Sequence, residues 1–226
     1  MSDDTSRARN VDALPGALRT HGAIPAGGAG RRLGQSLPKA LAVLEGRTLI
    51  ERAIATLKEL CDSIAVSMSP RRPLPAAAHA GADAAFDFAE GGGALMGLLA
   101  AADADRWPAA RTLVMGVDYP LARPAALRAL IERLDQRAAV VPAPGGRLQP
   151  MLAVYSRAGL RALRETFDHG ERSTVAAVTA LDPIVIEDHE LARFPGGSEN
   201  WMNVNTPEEF AEAARLLRSR EARSAV

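Results

Sequence analysis

Short apolar runs alternate with helical patterns along most of this chain of 226 residues. The run at 112–117 is continuous and has the length of a strand, which is typical of a central parallel strand buried on both faces. The alternation predicts an α/β sandwich with a mostly parallel sheet. The predicted strands are residues 22–26, 63–68, 84–86, 112–117, 138–142, 151–155 and 184–186.

Two of the predicted helices begin with a capping box. Thr48 and Glu51 can exchange hydrogen bonds at the start of a helix that runs to about Leu60. Thr206 and Glu209 have the same spacing at the start of the last helix. The other predicted helices are residues 95–102, 124–134, 157–167 and 173–181.

The composition limits the classes of function. The formal net charge is zero, so no overall field favours nucleic acid or a membrane surface, and a cation-rich site must be local. A single cysteine, Cys61, excludes an internal disulfide and fits a reducing cytoplasm. We expect a flexible leader at 1–21, one domain at 22–219 and a tail at 220–226.

A glycine-rich stretch follows the first predicted strand. Residues 25–34 contain four glycines and the pair Arg31 and Arg32, and Pro38-Lys39 comes soon after. Such a loop can bring backbone N–H groups and cations close to a nucleoside triphosphate. It is neither a Walker A loop nor a dinucleotide fingerprint, and an ordinary glycine-rich turn is the alternative.

Polar side chains follow two further segments. Asp118 comes directly after the run at 112–117, where a carboxylate can hold Mg²⁺ or simply cap the turn at Pro120. Asn203 and Asn205 lie on the same side of an extended segment before the last helix. They can face an anionic ligand at that helix N-terminus, or Asn205 can merely assist capping.

Several weaker candidates have equally simple structural explanations. Residues 93–97 either pack closely on the sheet or admit a nucleoside, and Asp87 is either a ligand for it or an exposed carboxylate. Arg172 lies in a charged turn that either binds an anion or is solvated. The four histidines have no metal-ligand spacing, so we assign none to a metal.

Taken together and in this order, these segments resemble the MobA-like nucleotidyltransferases. The resemblance runs from about Gly22 to Leu217. The Asn-Val-Asn-Thr-Pro segment and the Gly-Glu-Arg-Ser turn point to the guanylyltransferase branch of molybdenum cofactor biosynthesis. The resemblance implies a Rossmann-like three-layer sandwich of the nucleotide-diphospho-sugar transferase type.

The resemblance also implies a reaction and its residues. GMP passes from GTP to the phosphate of molybdopterin with Mg²⁺ as cofactor, in the cytoplasm, with transient contact to molybdoenzyme assembly proteins and none to nucleic acid or membrane. The implied catalytic residues are Arg32, Lys39, Asp118 and Asn205. The implied nucleotide-binding residues are Pro25, Ala26, Gly27, Gly28, Lys39, Ser67, Asp87 and Asp118, with Asp118 as metal ligand. The implied acceptor-binding residues are Gln149, Arg172, Asn203 and Asn205.

The chain departs from the family pattern at several positions, among them Pro25, where the family usually has leucine, and two of the departures bear on the substrates. Ser67 stands where the family has an asparagine that contacts the base, and Gln149 stands where a histidine is common. We therefore expect only a modest preference for GTP. The alternatives are a cytidylyl- or uridylyltransferase acting on another phosphate, or a nucleotide-binding module that regulates a partner without turnover.

Overall fold

The computed structural model describes residues 19–27, 38–88 and 92–224. Its strands, in chain order, are β1 (Thr20–Pro25), β2 (Val43–Leu44), β3 (Arg47–Thr48), β4 (Ser63–Met68), β5 (Asp83–Phe86), β6 (Arg111–Met115), β7 (Ala139–Ala143), β8 (Leu152–Ser156) and β9 (Ile184–Glu187). Its α-helices are α1 (Leu49–Lys58), α2 (Gly93–Ala101), α3 (Pro124–Glu132), α4 (Arg157–Asp168), α5 (Thr174–Thr179), α6 (Asp188–Leu191) and α7 (Pro207–Ser224).

Seven of these strands form one sheet in the order β5-β4-β1-β6-β8-β7-β9. The strand β8 runs antiparallel to β6 and β7, and the other pairs are parallel. In the centre, Ala23 of β1 pairs with Ala65 of β4 on one side and Val114 of β6 on the other. The prediction of an α/β fold with a mostly parallel sheet is confirmed.

Helices cover both faces of the sheet, because the central strands are apolar on both sides. Ile24 and Leu113 face one core, which also contains apolar residues of α1, α3 and α7. Their sequence neighbours Ala23 and Val114 face a second core with α2, α4 and α5. This alternation gives the three layers of the predicted sandwich.

Both predicted capping boxes are present. The Glu51 N–H donates to the Thr48 hydroxyl oxygen at 3.3 Å, and the Thr48 N–H donates to the Glu51 carboxylate at 2.8 Å. Thr206 and Glu209 make the same exchange at 3.2 and 2.9 Å. The second box fixes where α7 begins, directly after the Asn203–Asn205 pair.

The structure differs from the expectations in a few places. The hairpin of β2 and β3 was not predicted; it turns at Glu45 and Gly46, both with positive φ. Within the predicted leader, β1 already begins at Thr20, and within the predicted tail α7 continues to Ser224. Arg220 ties that end of α7 to the Leu121 carbonyl at 2.8 Å. Across the described ranges, the helices are too short or too polar to cross a membrane.

Candidate active site at the carboxyl edge of the sheet

Four neighbouring strands end at one edge of the sheet. β5, β4, β1 and β6 are parallel, so the segments that follow them all emerge on the same side. Ala26 and Gly27 follow β1, Asp87 follows β5, and Asp118 comes shortly after β6. In open α/β sheets this edge is where ligands bind.

Four of the predicted site residues meet at this edge, and we call them the Lys39 cluster: Lys39, Asp118, Asn203 and Asn205. The Lys39 Nζ donates to Asn205 Oδ1 at 2.8 Å and lies 3.7 Å from Asp118 Oδ2. The Asn205 Nδ2 donates to Asn203 Oδ1 at 2.5 Å. The side chains of Lys39 and Asp118 are 11% and 21% exposed, so the cluster is partly shielded from water.

Hydrogen bonds of the backbone hold Asp118 next to Asn203 and Asn205. The Val204 N–H donates to the Asp118 carbonyl at 2.8 Å, which joins the asparagine segment to the end of the β6 segment. The Glu209 carboxylate accepts from the Asn205 N–H at 2.6 Å. Lys39 itself opens a short 3₁₀ turn that follows Pro38.

Tyr119 also belongs to this arrangement, although the sequence patterns did not single it out. Its side chain is buried, and its hydroxyl oxygen accepts from Asn203 Nδ2 at 3.2 Å. Burial raises the pKa of Tyr119, and the neighbouring Asp118 charge raises it further, so the phenol stays protonated. The only signal in the sequence was its position directly after Asp118.

The Asp118 carboxylate lies over a bare stretch of backbone. A Cβ at Gly116 would overlap Asp118 Oδ1, whereas it would be in ordinary contact with Met151, whose carbonyl accepts from the Gly116 N–H at 2.6 Å. Glycine at 116 therefore leaves the space that the carboxylate occupies. The described residues contain no group of three or more metal-binding side chains. One carboxylate fits Mg²⁺ that takes its other oxygens from phosphates and water.

Asp87 approaches the glycine-rich stretch from β5. A Cβ added at Gly27 would lie 3.8 Å from Asp87 Oδ2, so the carboxylate lies beside the exposed Gly27. Its Oδ1 is buried and has no hydrogen-bond partner within the described residues, and burial raises the pKa of Asp87. A buried acceptor without a partner is costly, and a ligand N–H or O–H would satisfy it.

Ser67 does not present its side chain to this edge. It is fully buried, and its hydroxyl donates to the Gly97 carbonyl at 2.6 Å beneath α2. Donation from this hydroxyl to a base would require that bond to break. The Ser67 carbonyl does reach the site, because it accepts from the Ala26 N–H at 2.9 Å and so fixes the start of the loop.

The side chains of Gln149 and Arg172 both donate to backbone carbonyls. The Gln149 Nε2 donates to the Trp201 carbonyl at 3.4 Å, while its Oε1 is buried without a partner in the described chain. The Arg172 guanidinium donates to the Phe167 carbonyl at 2.6 Å and lies 4.0 Å from the centre of the Phe167 ring. Gly28 and Arg32, two further predicted site residues, are outside the described residues.

Comparisons with known proteins found a matching family model, similar relatives and a similar fold. Residues 22–183 match the family model of the MobA-like NTP transferase domain. A probable molybdenum cofactor guanylyltransferase of Chloroflexus aggregans is 33% identical over 87% of this chain and 94% of its own length. A molybdenum cofactor guanylyltransferase of Acidiphilium cryptum is 36% identical over 89% of this chain and 98% of its own. The crystal structure of molybdopterin-guanine dinucleotide biosynthesis protein A from Archaeoglobus fulgidus has a similar fold, with a TM-score of 0.72 at 20% identity, over 88% of this chain and 99% of that one.

Proposed function

Because the chain belongs to the MobA-like NTP transferase family, we propose that this nucleotidyltransferase transfers GMP from GTP to the phosphate of molybdopterin. The observation that carries the proposal is the Lys39 cluster. It places a cation, a carboxylate and two amides together at the edge of the sheet where a glycine-rich loop begins. The curated relatives that support the acceptor are molybdenum cofactor guanylyltransferases by name.

The reaction needs no nucleophilic side chain. An oxygen of the molybdopterin phosphate forms a bond to the α-phosphorus of GTP, and the bond from that phosphorus to the oxygen bridging to the β-phosphate breaks. Pyrophosphate leaves with that oxygen and its electron pair. Positioning and charge stabilisation account for most catalysis of this kind, and the Lys39 cluster provides such groups.

Each residue of the cluster has a role that suits its chemistry. The Lys39 ammonium binds nucleotide phosphate oxygens, since it is a donor with a full positive charge. Asp118 would hold Mg²⁺, which when bound offsets negative charge on the phosphates. Asn203 and Asn205 face the acceptor phosphate with neutral amides. Arg32 remains a proposed partner of the phosphates.

The nucleoside is bound at the other end of the site. In this proposal the nucleoside is bound by Pro25, Ala26, Gly27 and Gly28, and the Asp87 carboxylate accepts from its base or ribose. Gln149 and Arg172 remain proposed contacts of the acceptor. We propose a modest preference for GTP because Ser67 donates its hydroxyl to Gly97 and offers the base no side-chain contact. The cytoplasmic location stays a prediction from the sequence.

Pyrophosphate release tests the proposal. With GTP, Mg²⁺ and molybdopterin, the wild type should release pyrophosphate, and Lys39→Ala should lower kcat/KM by an amount worth roughly 2–4 kcal/mol. The chain offers a matched control in Lys58, an exposed lysine at the end of α1. Lys58→Ala should keep wild-type kinetics. Equal activities of the two variants would remove Lys39 from the site.

A further inference from the structure

We infer that Tyr119 is a positioning residue that orients the Lys39 ammonium through the side-chain amides of Asn203 and Asn205. The part of this inference that concerns turnover rests on the proposed function. The observation is a continuous chain of hydrogen bonds across the site. It runs from Lys39 Nζ to Asn205 Oδ1 at 2.8 Å, from Asn205 Nδ2 to Asn203 Oδ1 at 2.5 Å, and from Asn203 Nδ2 to the Tyr119 hydroxyl at 3.2 Å.

The donors and acceptors of these side chains allow only one orientation of this chain of hydrogen bonds. A lysine ammonium only donates, so Asn205 must turn its oxygen toward Lys39. The Asn205 amide nitrogen then faces Asn203, which must in turn present its own oxygen. The Asn203 nitrogen is left pointing at Tyr119, and the phenol oxygen accepts from it. Each amide orientation therefore depends on a partner at either end.

Other hydrogen bonds fix the backbone of the asparagine segment. The Tyr119 phenol therefore determines only how the Asn203 and Asn205 side-chain amides are rotated. The Val204 N–H is bound by the Asp118 carbonyl, and the Asn205 N–H is bound by the Glu209 carboxylate. Tyr119 is only 2% exposed and packs in the core that also contains α1 and α3. A rigid acceptor at this position can hold the Asn203 amide, whereas a water molecule in its place would exchange freely.

Tyr119→Phe removes the last acceptor and keeps the ring. We expect the KM for the nucleotide to rise about fivefold, the effect of one neutral hydrogen bond, while kcat changes less. In a Lys39→Met background, Tyr119→Phe should cause no further rise, because the ammonium it positions is gone. A purely structural tyrosine would give the same rise in both backgrounds, and that result would overturn the inference.

A second measurement does not require turnover. Lys39 and Lys58 are the only two lysines of the chain, so ¹³C-labelled lysine gives two ε-carbon resonances, which Lys58→Arg assigns. Tyr119→Phe should shift the Lys39 resonance and leave that of Lys58 in place. Asn203→Ala interrupts the same series of hydrogen bonds at its middle and should also shift the Lys39 resonance.

Tyr155 is a matched control for this experiment. It is the other tyrosine of the chain, it is fully buried, and its hydroxyl donates to the Pro150 carbonyl at 2.8 Å. Tyr155→Phe should leave the Lys39 resonance unchanged. An unshifted Lys39 resonance in Tyr119→Phe, or an equal shift in Tyr155→Phe, would overturn the inference. If the wild type proved inactive with GTP and molybdopterin, the proposed function would fail while this spectrum would still decide the role of Tyr119.

Discussion

Lys39 and Asp118 carry opposite charges and lie 3.7 Å apart, with less than a quarter of either side chain exposed. Water screens such a pair less than it screens an ion pair on the surface. Triphosphate oxygens compete for the Lys39 ammonium, since they bring a larger negative charge. We therefore expect nucleotide binding to separate the pair and to leave the Asp118 oxygens to a metal ion.

Asp118→Asn tests whether Asp118 binds the metal ion while Lys39 binds the phosphates. The amide keeps the shape of the side chain and removes its charge, so turnover should fall by about 10²–10³-fold and its dependence on Mg²⁺ should weaken. The measurement is the rate of pyrophosphate release over a Mg²⁺ titration. Asp135→Asn is the matched control, because Asp135 is exposed and has a φ of 44°, a conformation that asparagine tolerates. A wild-type titration curve for Asp118→Asn would exclude it as the metal ligand.

His21 lies near the start of β1, at the end away from the candidate site, and links the stability of the fold to pH. Its ring is fully buried, with Nδ1 2.8 Å from the Ser63 hydroxyl and Nε2 2.8 Å from the Ala101 carbonyl, and it stacks on Trp107. Burial lowers the pKa of His21 below its usual 6.5, so the unfolded chain takes up the proton first as the pH falls. The contribution of neutral His21 to stability is therefore present above about pH 6.5 and is lost as the pH falls toward the lower folded value.

Urea unfolding at about pH 7.5 and about pH 5 measures this effect. The free energy of unfolding of the wild type should fall between about pH 7.5 and about pH 5. His21→Gln should be less stable at about pH 7.5 and should lose less on going to about pH 5. His169→Gln, at an exposed position, should behave as wild type does. A wild-type dependence in His21→Gln would show that other groups cause the loss.

At the scale of elements, two helical glycines that look alike in sequence differ in their surroundings. A Cβ at Gly159 of α4 would overlap the Ala138 backbone, whereas a Cβ at Gly97 of α2 would only touch Ser67 Oγ at 3.5 Å and Pro25 Cβ at 3.8 Å. Gly159→Ala should therefore destabilise the fold by roughly 1–3 kcal/mol. Gly97→Ala should be neutral or stabilising by up to about 1 kcal/mol, because alanine favours the helix. Thermal unfolding of both variants checks this; equal changes would contradict the described packing.

The elements that were predicted well depend on local signals. The β4 strand and both capping boxes follow from patterns within a few residues, and the structure has them as expected. The position of the Ser67 hydroxyl could not be predicted, because its acceptor on Gly97 is 30 residues away. The same holds for Tyr119, whose partner Asn203 is 84 residues away along the chain. Contacts of this kind exist only once the sheet is assembled.

For the whole molecule, the order of the strands explains why distant motifs form one site. Parallel β5, β4, β1 and β6 bring the ends of separate segments to one edge, and the asparagine segment joins them through its bond to Asp118. The alternation of apolar runs predicted the parallel sheet but not the antiparallel β8 within it. A strand of either direction that is buried on both faces has the same apolar sequence. The chain direction therefore became known only from the structure.

The identity of the transferred nucleotide tests the central claim most directly. The protein would be incubated with molybdopterin, Mg²⁺ and equal amounts of GTP, ATP, CTP and UTP. The products would then be identified and quantified by mass spectrometry. We predict that the GMP adduct of molybdopterin dominates, by about tenfold over the others, equivalent to about 1.4 kcal/mol. A dominant CMP adduct, or no nucleotide adduct of molybdopterin at all, would contradict the proposed guanylyl transfer.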